Sequence, residues 1–232
     1  VYAGDGHDAH WGYSGDTGPK HWGSLSEKYS ACDSGKQHSP IDIATSTKAD
    51  LPPLQFNYSS FPLAIINNGH TIGIETKGAG SLTIGNDSYN ILGFHSHSPT
   101  EGAIDGKHAD MVMHLVHKSE AGKIAVVAVY FNKGEANPLI TTLWNVMPKQ
   151  VGEVQHHNDI KIDIKQILPE DSNYYTYAGS FTTPPCTEGV KWIVLKQQVT
   201  ISAEQLAQYN ALYSDNVRPV QPLNERKVLS SN

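Results

Sequence analysis

The chain has 232 residues, of which 38% are hydrophobic and 17% charged, and its formal net charge at pH 7 is −6. This length and composition fit one large globular domain, and no apolar run approaches the roughly 18 residues of a membrane-spanning helix. Arginine is scarce, with only Arg218 and Arg226 present. Together with the acidic balance, this scarcity argues against a nucleic acid as partner.

The first 40 residues are rich in glycine, histidine, serine, aspartate and aromatic residues and have no helical period. We predict that residues 1–40 form an ordered arm of a single domain that spans residues 1–232. The polar opening VYAGDGHDAHWGY does not have the apolar core of a signal peptide. We therefore interpret the sequence as a mature, processed form.

From about residue 54 the chain consists of short runs of strand-forming residues. These runs are LAIINN, TIGIET, SLTIG, YNILGFHSHS, DMVMHLVH, KIAVVAVYF and GVKWIVLKQQVTI. Turn signals such as NNGH, KGAG and SEAGK separate them. The pattern predicts a mainly β (α+β) fold with small helices at its margin.

Two segments carry helix signals. Segment 137–148 begins with Asn137 as N-cap and a proline at the first helical position, and it ends at Pro148. Segment 202–214 begins with Ser202 as cap and has Glu204 in its first turn.

Two histidines, His95 and His97, stand on alternate positions of the run GFHSHSPTEG. Residues i and i+2 of a strand share one face, so both imidazoles project from the same side. His114 lies in the next strand-like run, and the connection contains Asp-Gly, a hairpin signal. Antiparallel pairing would bring His114 opposite the pair and create a three-histidine site with an open fourth position, as in catalytic zinc centres.

The histidine pattern by itself leaves a simpler alternative open. Twelve histidines are present, and ordinary surface or hydrogen-bonded histidines would give the same spacing by chance. His117, three residues after His114, points to the opposite strand face and is not expected to be a ligand.

Cys32 and Cys186 are the only cysteines. The count leaves open two buried thiols or one disulfide. A disulfide would close a loop of about 155 residues, contribute up to roughly 5 kcal/mol in the chain-entropy model, and imply an oxidising compartment.

Seven sequence blocks occur in an order that resembles the α-class carbonic anhydrases, particularly their bacterial secreted branch. The blocks are HWGYSG (10–15), SPIDI (39–43), NNGHTI (67–72), FHSHSPTEG (94–102), HLVH (114–117), GSFTTPPCTEGVKWIVL (179–195) and NVRPVQPLN (216–224). The resemblance covers essentially the whole chain. It implies a single domain around a large, twisted, mostly antiparallel sheet, with zinc at the base of a conical cleft bound by His95, His97 and His114.

The resemblance also implies a reaction, the reversible hydration of carbon dioxide to bicarbonate and a proton by zinc-bound hydroxide. Thr182 matches the gatekeeper threonine, which accepts a hydrogen bond from that hydroxide. Glu101 matches the carboxylate that takes the threonine's proton. His70 matches the proton shuttle, since an imidazole with a pKa near 6.5 exchanges protons around neutrality.

Further matches imply supporting roles, although the apolar ones would serve equally well as plain core. The matches to the substrate pocket are Val116, Val126, Phe181, Thr183 and Trp192. The matches to the polar network are Tyr13, Asn68 and Tyr177. Cys32 and Cys186 match the disulfide pair of the bacterial branch and imply a periplasmic or secreted protein. The implied partner is carbon dioxide, bicarbonate or a related carbonyl compound, with no membrane partner and with a homodimer left open.

The sequence departs from the family near the expected metal. Gly93 and Val112 replace the glutamine and glutamate that orient the first and third zinc histidines, a type of loss that typically costs about 10–100-fold in metal affinity or activity. The other replacements are Ser96 for a large aromatic residue, Gly102 for a bulky polar residue, Phe181 for leucine and His38 for glutamine. Either neutral drift or a pocket reshaped by selection or engineering accounts for this pattern.

Three functions follow from these observations. The first is a carbonic anhydrase. The second is a remodelled zinc site that acts as Lewis acid or hydrolase on a larger or non-native substrate. The third is a non-catalytic binding module of the same fold, which the three retained histidines disfavour.

Overall fold

One large sheet organises the structure, a computed structural model that describes residues 9–232. In this part of the chain the strands are β1 Asp42–Ile43, β2 Thr47–Lys48, β3 Leu54–Tyr58, β4 Phe61–Asn67, β5 Ile72–Glu75, β6 Gly80–Ile84, β7 Asp87–His97, β8 Ala103–Ile104, β9 Met111–Lys118, β10 Ile124–Lys133, β11 Gln155–Ile162, β12 Tyr174–Ser180, β13 Glu188–Leu195, β14 Val199–Ile201 and β15 Leu229–Ser230. The first eight residues of the predicted arm lie outside the described part.

Thirteen strands form the main sheet in the order β11-β4-β5-β7-β9-β10-β13-β12-β15-β2, with β14 beside β10 and with β6 joining β3 to β7. Three of its pairings are parallel, β10 with β13, β10 with β14 and β15 with β2. The other pairings are antiparallel. The predicted mainly β, mostly antiparallel architecture is therefore confirmed. Strands β1 and β8 form a separate parallel pair.

The central strands are buried on both faces. In β9 all residues but the last are buried. Met111, Met113 and Leu115 enter the larger hydrophobic core, whereas Val112 and Val116 enter a smaller apolar cluster on the opposite face. A strand that is buried on both sides contains apolar residues at consecutive positions. This burial explains why the runs MVMHLVH and IAVVAVYF are continuous rather than alternating.

Within residues 9–232, four short α-helices lie outside the sheet: α1 Trp22–Leu25, α2 Ala31–Ser34, α3 Pro138–Asn145 and α4 Ala203–Asn210. Asn137 caps α3, as predicted, by accepting from the N–H groups of Leu139 and Ile140. Ser202 caps α4 in a capping box with Gln205. Four 3-10 helices at Gly15–Thr17, Pro19–His21, Glu27–Tyr29 and Ile164–Ile167 complete this set.

Several element boundaries differ from the sequence prediction. Both helices end earlier, α3 at Asn145 and α4 at Asn210, because the following residues form tighter turns. The run GVKWIVLKQQVTI divides into β13 and β14. The polar strand β11 has no apolar alternation because it lies at the sheet edge and pairs on one side only.

The Asp-Gly signal marks a smaller turn than expected. Backbone N–H groups of Ile104 and Lys107 each donate to the other residue's carbonyl, and Asp105 and Gly106 both have positive φ. The turn therefore lies inside the connection between β7 and β9 and does not join the two strands directly. Among the described helices, none has the length and apolar character that crossing a membrane requires.

Cys32 and Cys186 form a disulfide, as the resemblance implied. The bond joins α2 to the loop that follows β12 and carries Thr182 and Thr183. It lies in a small cluster with Trp22 and Tyr29 that packs the arm against the rest of the structure. A covalent link across 154 positions restricts the unfolded chain more than the folded one.

Replacement of both cysteines by serine should lower the free energy of unfolding by up to about 5 kcal/mol. Urea unfolding of the oxidised protein and of Cys32→Ser/Cys186→Ser measures the difference. Thiol titration of the unfolded, unreduced wild-type protein should find no free thiols. Two reactive thiols per chain would contradict the bond.

Candidate metal centre

Three histidines converge where β7 and β9 pair. The register places His95 directly opposite His114 and His97 opposite Val112. One ring nitrogen from each histidine lies within 4.8 Å of those of the others. The ring centroids are 4.8–5.2 Å apart. The alternation within β7 and the register of the pair thus produce the predicted constellation.

The His97 ring is held in one orientation. Its Nδ1 lies 2.7 Å from the carbonyl oxygen of Asn216, so Nδ1 carries the proton and donates, because a carbonyl can only accept. Nε2 is then left with its lone pair. Within the described part of the chain, this buried Nε2 has no hydrogen-bond partner. An imidazole nitrogen of this kind suits a metal ion.

Burial keeps the neighbouring histidines neutral. It lowers the pKa of His95 and of His114 well below the usual value, and the adjacent histidines lower both further. Metal binding requires neutral imidazoles. His95 and His114 therefore offer lone pairs at neutral pH without first having to lose protons, His97 offers Nε2, and the donor set fits zinc.

A buried carboxylate lies beside the histidines. Glu101 Oε1 is 3.2 Å from His97 Nε2, and Glu101 Oε2 accepts the backbone N–H of Arg218 at 2.7 Å. Burial raises the pKa of Glu101, whereas His97, the Arg218 N–H and a hydrogen bond from the Thr182 side chain act in the opposite direction. The structure thus brings Thr182 and Glu101 together.

A cavity of about 910 Å³ opens above the histidines. Besides the three histidines, the predicted site residues that line it are Tyr13, Asn68, His70, Val116, Val126, Phe181, Thr182, Thr183 and Trp192. Glu101 lies behind Thr182, outside the lining. Tyr177 also lies outside it and donates from its hydroxyl to Ser39 Oγ at 2.9 Å.

His70 lies at the wall of this cavity, stacked on Trp11 with ring centroids 3.6 Å apart. Its turn is held by Asn68, whose Oδ1 accepts the backbone N–H groups of His70 and Thr71, both at 2.9 Å. Burial, and secondarily His10, lowers the pKa of His70 to about 4. In this position the ring is neutral at pH 7.

The departures from the family lie mostly outside the cavity. Ser96 faces the other side of β7, where its backbone oxygen accepts from Thr71 Oγ1 and Tyr209 Oη. Gly102 has φ +83°, and a Cβ there would come within 2.9 Å of Tyr130 Oη. Of the noted replacements, Phe181 alone lines the large cavity. Strand alternation already requires Ser96 to face away from its two histidine neighbours.

Val112 lies among apolar side chains, whereas His38 lies beside the Arg218 guanidinium. Val112 is 0% exposed and lies in the apolar cluster with Trp192, whose ring meets His114 edge-on at 4.9 Å. His38 is buried, and its Nδ1 accepts from Arg218 Nη2 at 3.2 Å. The ring of the third histidine therefore has the aromatic ring of Trp192 beside it.

Two contributors to the site, Asn216 and Arg218, received no role from the sequence. Both lie in the block NVRPVQPLN, which carried part of the resemblance. Arg218 also donates to the carbonyl oxygens of Ser39 and Cys32 and so links the disulfide region to Glu101. Because both residues lie in a proline-rich coil, no hydrophobic periodicity marks them in the sequence.

Three histidines that leave one position open, at the base of a cavity, are the arrangement of mononuclear catalytic zinc sites. The profile of the eukaryotic-type carbonic anhydrase family matches residues 17–232. A carbonic anhydrase of Klebsiella pneumoniae is 45% identical over 224 residues, which are 95% of this chain and 91% of that protein. The chain belongs to the eukaryotic-type (α-class) carbonic anhydrase family.

Solved structures agree with this assignment. The α-carbonic anhydrase from Thermovibrio ammonificans, in complex with the inhibitor sulfanilamide, is 45% identical and superposes with a TM-score of 0.92 over 96% of this chain and 99% of that one. Dioscorin complexed with ascorbate is 32% identical, with a TM-score of 0.88 over 95% and 97% of the two chains. The family uses zinc, and hydration of carbon dioxide is the expected function of this chain.

Purification in the presence of zinc should give about one zinc ion per chain. His97→Ala should lose most of it, because the substitution removes one of the three ligand nitrogens. Elemental analysis measures the ratio, and His117→Ala, on the opposite strand face, is the control. Less than about half a zinc per wild-type chain would contradict the site.

The double variant Val112→Glu/Gly93→Gln should bind zinc about tenfold more tightly and hydrate carbon dioxide faster, because it adds acceptors that orient the ligand rings. Its thermal midpoint should fall, since a carboxylate enters an apolar cluster. Competition with a chelator measures zinc affinity, and Val112→Leu/Gly93→Ala is the control. Unchanged affinity and rate would refute the orienting role.

Proposed function

We propose that this chain hydrates carbon dioxide with His95, His97 and His114 as zinc ligands and with Thr182, Glu101 and His70 as catalytic or positioning groups. The observation that carries the proposal is the Thr182–Glu101 hydrogen bond beside three convergent histidines. When bound, zinc lowers the pKa of a coordinated water to about 7 and so supplies hydroxide at neutral pH.

Thr182 orients the reacting oxygen. Its hydroxyl proton is directed to Glu101, whose charged form this bond favours, so the oxygen lone pairs of Thr182 are free to accept a hydrogen bond from the cavity side. The Arg218 N–H on Oε2 fixes the Glu101 carboxylate in turn. This chain of donors and acceptors selects one direction for the attacking lone pair.

The apolar wall receives the substrate. Val116, Val126 and Trp192 line the cavity with the histidines and belong to one buried cluster, against which Phe181 packs. Carbon dioxide has no net charge and little need of polar contacts, so a wall of this kind can hold it beside the attacking group. Thr183, Tyr13 and Asn68 also line this cavity.

His70 carries the proton outward. At a pKa of about 4 in the stacked position, the ring holds a proton weakly and passes it readily to solvent or buffer. Movement away from Trp11 would hydrate the ring and raise its pKa toward 6.5, where it accepts protons well at neutral pH.

A second candidate function is hydrolysis of an ester or another carbonyl compound at the same centre. The cavity of about 910 Å³ is far larger than carbon dioxide requires, and Phe181 changes its wall beside Thr182. Stopped-flow hydration assays alongside a panel of esters discriminate the two. A higher kcat/KM for an ester would favour the second function.

Several further assignments extend this proposal. The disulfide and the bacterial relatives indicate a location outside the cytoplasm, and we infer a periplasmic or secreted protein. We also infer one domain over residues 1–232, because a single sheet connects strands from residue 47 to residue 230. A homodimer stays a prediction.

Thr182→Val should lower kcat/KM for hydration by about tenfold or more, because valine keeps the shape of threonine and removes the hydroxyl. Thr182→Ser keeps the hydroxyl and should retain most of the activity. Stopped-flow measurement with a pH indicator compares the variants at equal zinc content. Equal rates for the valine and serine variants would refute the proposed role of Thr182.

A further inference from the structure

The side-chain amide of Asn216 lies at the centre of a buried hydrogen-bond network behind the histidines. Asn216 is 2% exposed. Its Nδ2 is 3.0 Å from the carbonyl oxygen of His70 and 3.1 Å from Tyr209 Oη. Its Oδ1 accepts the backbone N–H of Ser98 at 3.0 Å. One side chain thus contacts the turn of His70, the end of β7 and helix α4.

The hydrogen-bond partners of the Asn216 side chain fix the orientation of its amide. The backbone N–H of Ser98 can only donate, so the side-chain oxygen must face it. The carbonyl of His70 can only accept, so the NH₂ group must face that side. An aspartate at position 216 could not meet both requirements, because it has no proton to donate to His70 when ionised.

The backbone of the same residue holds a metal ligand. The Asn216 carbonyl accepts from His97 Nδ1 at 2.7 Å. Its neighbours reinforce the contact: the Asp215 N–H donates to the Ser98 carbonyl at 2.8 Å, and the Arg218 N–H donates to Glu101 at 2.7 Å. Segment 215–218 therefore contacts β7 and the residues after it at three successive points.

We propose that the Asn216 side-chain amide is a positioning group that fixes His97 and the His70 turn relative to each other. The inference rests on the proposed roles of His97 and His70. If the amide moves, the carbonyl that orients His97 moves with it, and the His70 backbone loses a donor. Loss of the amide should therefore affect zinc retention and proton transfer together.

The test compares Asn216→Asp with Tyr209→Phe in the zinc-loaded protein. Tyr209→Phe removes one partner of the amide and leaves its contacts with His70 and Ser98. Zinc release to a chelator is measured first, and kcat for hydration is then measured at low and at high imidazole concentration. Asn216→Asp should release zinc about tenfold faster, and its kcat should fall at low imidazole and recover at high imidazole. Tyr209→Phe should resemble the wild type in both measurements.

Two further variants keep the outcomes separate. The serine side chain of Asn216→Ser is neutral and too short to reach His70. This variant should therefore show the same two effects, and it replaces Asn216→Asp in the test if the aspartate variant does not fold. His70→Ala should show the imidazole-dependent loss of kcat with normal zinc release. Absence of that loss in His70→Ala would refute the shuttle role, and zinc release alone would then decide the role of Asn216.

The inference is overturned if folded Asn216→Asp and Asn216→Ser release zinc at the wild-type rate. It is also overturned if Tyr209→Phe changes zinc release and kcat as much as the two Asn216 variants do. The effect would then come from the packing of the network and not from the amide.

Discussion

The pairing register of β7 and β9 is the constraint on which the site depends. A shift of one residue would turn His114 to the opposite face of the sheet and replace it with Met113 or Leu115. The apolar faces of both strands prevent this shift, because Met111, Met113 and Leu115 belong to the larger core on one side and Val112 and Val116 to the smaller cluster on the other. The hydrophobic core thus determines where the metal ligands lie.

Burial at the site shifts the pKa values of its ionisable groups. Burial lowers the pKa of His95 and His114, which keeps them available as ligands. The same burial raises the pKa of Glu101, so the carboxylate depends on the Arg218 N–H and the Thr182 hydroxyl to favour its charged form. Both partners come from coil segments after the sheet strands. The rigid sheet supplies the ligands, and the coil segments supply the groups that orient and tune them.

The disulfide region joins these coil segments. Arg218 donates to the carbonyl oxygen of Cys32, and Cys186 follows Thr182 and Thr183 in the same loop. Polar interactions therefore run from the arm through Arg218 to Glu101. This arrangement explains how residues far apart in the sequence, from the arm to the segment near the C-terminus, act on one cavity.

Much of the structure followed from local sequence patterns. The continuous apolar runs predicted β9 and β10, the caps predicted α3 and α4, and the alternation of His95 and His97 placed both rings on one face. Each of these features depends on neighbours within a few positions. The polar strand β11 and the exact ends of the helices were not predictable in this way, since edge position and packing decide them.

The sequence by itself determined which side chains could serve as ligands and, through its resemblance to one family, what they do. Tertiary structure alone decided which departures from the family line the cavity. Phe181 lines the cavity, whereas the backbone oxygen of Ser96 accepts from Tyr209 and a side chain at position 102 would meet Tyr130. It also disclosed Asn216 and Arg218, because their backbone groups bond side chains more than a hundred positions away. Such contacts leave no periodic signal, since the geometry of the assembled sheet creates them.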